Sequence, residues 1–107
     1  MPFAPATVPS VSPLADEATP INLTLTVVDT AEDLASVPTD KRGRILSIVN
    51  EGPGIVYLAF DADATTADTV VKKNESYSEN DLDIASRVSF IGESGKTPHV
   101  RGILWSA

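Results

Sequence analysis

Every apolar run between Ile21 and Trp105 is short, and each is closed by a cluster of glycine, proline, asparagine or aspartate. This punctuation is the strongest constraint on the fold, because a helix needs an uninterrupted stretch of about ten residues or more to bury a face. Residues 22–28 alternate apolar and polar side chains, the two-residue period of a half-buried strand. Residues 44–49, 55–60, 87–91 and 99–105 read as further strands, and 55–60 is apolar enough to be buried on both faces. Residues 69–72 and 75–78 are shorter candidates. The turn at 50–54 is expected to join its flanking strands as a hairpin. One helical signal stands out: Asp29 has the form of an N-cap with Glu32 three residues on, which predicts one or two turns through Ala35, stopped by Pro38. No segment is long enough for a βαβ crossover. Roughly six to eight short strands separated by turns predict an all-β chain, an antiparallel β-sandwich or small barrel of jelly-roll-like kind.

The first twenty residues are of a different character. Five of the eight prolines fall there, Pro2, Pro5, Pro9, Pro13 and Pro20. Proline has no N–H to give a helix or a central strand, so this stretch is expected to be an extended arm, partly polyproline II. The domain boundary is therefore placed with residues 1–20 as the arm and 21–107 as the β-domain. Stretched out, the arm reaches up to about 70 Å. Phe3, Val8, Val11 and Leu14 are apolar residues without an evident place in the domain core. Together with Pro2, Pro5, Pro9 and Pro13 they are the expected contacts of an arm that orders on a neighbouring subunit.

Charge and composition narrow the function. The chain has 107 residues with 15 acidic and 8 basic side chains, a net charge of −7 that disfavours phosphate backbones. Lys41, Arg42 and Arg44 cluster, but no aromatic residue is interleaved with them. The absence of cysteine removes disulfide and metal-thiolate chemistry. The N-terminus lacks the basic and apolar regions of a signal peptide, and no run has the length of a membrane span. Synthesis in the cytoplasm is expected, with neither nucleic acid nor membrane as partner.

Candidate chemistry is sparse. His99 is the only histidine and stands at the mouth of the last strand, where a surface role is expected rather than catalysis. Asp61-x-Asp63-x-Thr65 has the opening of a calcium loop. Its sixth position is Thr66 where glycine is needed, and its twelfth is Lys72 where glutamate is needed, so any calcium held by Asp61 and Asp63 would be held weakly. Glu79, Asp81 and Asp83 read as a solvated acidic group. Gly92-x-x-Gly95-Lys96 lacks the spacing of a phosphate loop and reads as a turn. No catalytic, metal or cofactor residue is assigned, and the chain is expected not to be an enzyme. Trp105 is the sole tryptophan, either a core residue or an anchor at an interface.

Arg44 to Asn50, Val56-Tyr57-Leu58, residues 64–69, Glu75-Ser76-Tyr77, and Glu93-Ser94-Gly95 leading to Val100-Arg101 form a pattern over residues 44–104. This pattern resembles a group of small bacteriophage virion proteins. Lys96-Thr97-Pro98, which lengthens the final turn, and the ending Ile103-Leu104-Trp105 depart from it. The resemblance implies a β-sandwich in a phage particle, made in the host cytoplasm. The proline-containing arm is similar in architecture to that of head decoration proteins of the lambda type, which sit as trimers on the capsid. What this implies is a capsid decoration (cement) protein, trimeric, that binds the outer surface of the major capsid protein shell through its arm. Alternatives are a head fibre, a neck or a tail component, or a carbohydrate-binding module. The last is disfavoured by a total of one tryptophan, two tyrosines and three phenylalanines, most of which the core needs.

Overall fold

The computed structural model describes residues 17–107 as eight strands, all antiparallel where they pair. They are β1 (Glu17–Thr24), β2 (Glu32–Ser36), β3 (Gly43–Gly52), β4 (Val56–Phe60), β5 (Thr69–Val71), β6 (Ser76–Glu79), β7 (Arg87–Gly92) and β8 (His99–Ser106). Two sheets form, in the orders β1-β8-β3-β6 and β2-β7-β4-β5. Strand pairing is mirrored along the chain: β1 with β8, β2 with β7, β3 with β6 and β4 with β5. A long folded ribbon of that kind, wrapped so that β8 also meets β3 and β7 also meets β4, is the jelly-roll form of the β-sandwich.

Period-two alternation builds the core between the sheets. Leu46, Ile48, Val100 and Leu104 from one sheet meet Val56, Leu58, Val71, Val88 and Phe90 from the other, all at 2% exposure or less. Ile21, Leu25, Ala35 and Ile84 close the ends of the cluster. The β4 strand buries Val56 and Leu58 only; Tyr57 and Ala59 on its other face are half-buried, so burial on both faces does not occur.

Three further expectations are corrected. First, β1 starts at Glu17, so residues 17–20 belong to the sheet and not to the arm. Pro20 is accommodated because β1 is an edge strand, where a missing N–H breaks no central ladder. Second, no helix forms after Asp29. That residue takes a left-handed backbone (φ 56°), and its carboxylate accepts the Gly95 N–H. Glu32 reaches back to accept the N–H groups of Thr26 and Val27 and the Thr26 hydroxyl, and its own strand then pairs with β7. Sheet pairing along β2 outweighs the costly nucleus of a one-turn helix.

Third, β3 and β4 are not a hairpin, because they lie in different sheets. The Asn50 side chain, fully buried, donates to the carbonyls of Gly54 and Val71 (both 2.9 Å) and accepts the Gly52 N–H (2.8 Å). Gly52 and Gly54 both have positive φ (79° and 82°), a conformation that glycine adopts without steric cost. The chain thus turns across the sandwich and starts β4 in the opposite layer.

Candidate docking face

Alternation along β8 decides which side chains face outward. Val100, Leu104 and Ser106 are buried, so His99, Arg101, Ile103 and Trp105 lie on the outer surface of the β1-β8-β3-β6 sheet. Register then composes the surface row by row. Ala18, Trp105 and Ile45 stand side by side, followed by Pro20, Ile103 and Ser47, then Asn22, Arg101 and Val49. Trp105 is 36% exposed, and its half-buried neighbours Ile45, Ile103 and Val49 extend the apolar surface. Trp105 is therefore not a core residue; Leu104 takes that place, and the tryptophan is left facing outward.

The opposite end of the same face is polar. Thr24 Oγ1 lies 2.7 Å from His99 Nδ1, and Asn22 Oδ1 lies 2.7 Å from Nε2. With Asn22 Oδ1 accepting, Nε2 is the donor on that side, and the Thr24 hydroxyl stands against Nδ1. Glu51 sits 3.6 Å from Nε2 and also pairs with Arg101 at 3.3 Å. A hydroxyl bonded to an imidazole resembles a nucleophile–base pair, an arrangement that sequence reading did not find. Here Thr24 and His99 are direct cross-strand neighbours in the β1–β8 ladder, and Asn22 and Glu51 stand against the other ring nitrogen. The geometry makes these residues a polar clasp on edge strand β1.

The remaining sequence candidates are occupied by partners of their own. Asp61 accepts the N–H groups of Ala85, Ser86 and Arg87 and the Ser86 hydroxyl. Burial opposes its ionisation, but those donors prevail and hold the carboxyl at about 2. Asp63 turns the other way, to share the Arg87 guanidinium with Asp33 (2.9 and 2.6 Å), so the two calcium candidates do not converge. No cluster suited to a metal ion occurs among the described residues. Asp83 bridges Arg42 and Arg44 at 2.7 and 3.3 Å, and Lys41 lies 3.9 Å from Glu17, so the basic cluster is matched by carboxylates. Glu79 accepts the Tyr77 hydroxyl; burial first, and then this carboxylate, push the phenol up to about 12.

The expected arm contacts Pro2, Phe3, Pro5, Val8, Pro9, Val11, Pro13 and Leu14 lie outside the described residues. Their point of departure is defined, because Glu17 pairs with Ser106 and Ala18 stands beside Trp105. Chain entry and the apolar row therefore share one corner of the sheet. Trp105 was singled out from its residue type; Ile45 and Ile103 were not, although the odd-numbered alternation of β8 places Ile103 with Trp105. No protein-family model matches this chain, and a search of curated proteins finds no match.

Proposed function

We propose that this chain is a non-enzymatic bacteriophage capsid decoration protein. In this reading it binds the outer surface of the major capsid protein shell as a trimer and stabilises it, with its N-terminal arm clamping neighbouring subunits. The observation that carries the reading is the placement of two contact elements together: the arm enters the fold at Glu17, beside the exposed Trp105. Arms held together at such corners act as linked sites, so that modest affinity at each gives firm attachment. Pro20 removes one N–H from edge strand β1, which blunts the body's own edge. Strand addition to a capsid sheet is left to the arm. The jelly roll is a framework shared by virion proteins and lectins, so the fold alone does not choose between them. A carbohydrate platform is disfavoured, since no second aromatic stands in register with Trp105 among the described residues of its face.

The test is co-sedimentation with assembled shells. Because β1 starts at Glu17, the deletion must stop at residue 16, or it strips half the edge strand. Removing residues 1–16 is expected to weaken shell binding by about 100-fold or more. Undiminished binding would refute the clamp. Saturation at hundreds of copies per particle is expected; a dozen or fewer would point instead to a neck, fibre or tail component.

A further inference from the structure

We infer that the apolar face around Trp105 is the seat for residues 8–14 of a second copy of this chain. The inference deepens the reading above by naming a partner for the arm, a sister copy, and it rests on the arm acting in trans.

Four observations lead to this occupant. The face is apolar where Ala18, Pro20, Ile45, Val49, Ile103 and Trp105 share the outer surface of the sheet. Its rim charges are matched in opposite pairs, Lys41 with Glu17 and Arg101 with Glu51, although the chain as a whole carries −7. Sister copies repel one another least at such a surface. Residues 2–15 contain no charged side chain, and Val8, Val11 and Leu14 recur at three-residue spacing, the repeat of a polyproline II helix, so they fall on one side of an extended segment. Finally, this segment is attached at the corner where the face lies, two residues before Glu17.

Direction favours a neighbour over the same copy. β1 opens at Glu17, opposite Ser106 at the end of the sheet, and its own outer face lies ahead of that point along the strand. Returning to its own face demands a reversal within Ala15 and Asp16. Pro9 and Pro13 fix their own φ and disfavour a helical backbone at Val8 and Ser12, a bias toward an extended segment that suits reach to a neighbour. The seven residues span about 22 Å as polyproline II, against about 26 Å for the length of β1. Residues 1–7 then remain for the shell. A contact of arm on face is head-to-tail, and such contacts close into rings, which is how a trimer arises here.

Trp105 is the only tryptophan, and it reports directly on the occupancy of the face. The experiment measures its emission maximum and the native mass of the full chain from micromolar to millimolar concentration. The expected result is a blue shift that rises together with mass. Val8→Ser, Val11→Ser and Leu14→Ser combined should raise the association midpoint by about tenfold or more, and Ile103→Lys should do the same from the receiving side. Circular dichroism confirms that each variant is folded. Mixing the two variants should restore one arm-on-face contact and yield a dimer that does not grow to a ring. A blue shift at monomer mass, independent of concentration, means the arm folds on its own face and overturns the inference. Association that survives the triple serine change means face-to-face packing and overturns it equally, as does a monomer with unshifted emission throughout. No shell is present, so copies that associate yet fail to co-sediment with shells would sink the decoration reading alone. Shell binding without self-association would sink this inference alone.

Discussion

Replacing Asn50 by aspartate exchanges an NH₂ group for an oxygen at the point where the chain crosses between the sheets. The Asn50 amide donates to two carbonyl oxygens, those of Gly54 and Val71, each at 2.9 Å, and its residue has no exposed surface. An ionised carboxylate there faces both carbonyls with nothing to donate. Each buried acceptor left unsatisfied costs about 1–3 kcal/mol. Two of them, with repulsion from the new charge, give a loss of about 4 kcal/mol at about pH 7. Protonation returns one O–H donor and relieves about 2 kcal/mol of this. The sign follows from linkage: the introduced carboxyl has its folded-state pKa raised above its unfolded value. Its penalty is therefore full above the folded pKa and shrinks as pH falls toward the unfolded value of about 3.9. Urea unfolding of N50D and the unmodified chain, compared at about pH 7 and about pH 4, reads this out. With a slope of about 1 kcal/mol per molar, the gap between midpoints should be about 4 M, or the variant unfolded outright, at the higher pH. It should close by about half at the lower pH. A gap below about 0.5 M at both values would refute the role given to Asn50. A gap that ignores pH would refute the part assigned to charge.

Asp61→Asn should cost about 1 kcal/mol, a figure reduced from the full pKa shift because this carboxylate is exposed and its bonds are screened by solvent. The stabilisation from ionised Asp61 is present above 3.8 and is lost as pH falls toward about 2, so acid titration should show the variant and the unmodified chain converging in that window. Gly102→Ala should prevent folding: an added Cβ would overlap the Ser47 carbonyl oxygen and lie 2.6 Å from Ile48 Cα, both backbone atoms of β3. A thermal midpoint within a few degrees of the unmodified chain would show that β8 and β3 can separate to admit it. Trp105→Ala should change stability by less than about 1 kcal/mol while weakening shell binding by about 30-fold, an anchor's signature, and equal losses in both assays would make Trp105 a packing residue instead.

The limits of β4, β5, β6, β7 and β8 were legible in the chain to within a residue, because strand formation and turn chemistry are local, whereas β3 runs on through residues 50–52, which the sequence marked as a turn. β-Branched residues at period two and the Gly, Pro, Asn and Asp clusters between them act within a few residues of themselves. The same locality misled at Asp29 and Glu32, where a capping pattern was satisfied by a turn and the following residues paired with β7. It also failed to identify Asn50 as the residue that holds the crossing.

By itself, the sequence determined that the chain is all-β, that its leader is rich in proline, and that a few short apolar strands supply the core. Only the tertiary structure decided that β3 and β4 part into opposite layers, that Thr24 and Asn22 meet His99 from more than seventy positions away, and that Trp105 turns outward beside the entry of the arm. The physical reason is that backbone preference is set by neighbours along the chain. Strand partners and facing, by contrast, are chosen by hydrogen bonds and burial summed over the whole sandwich.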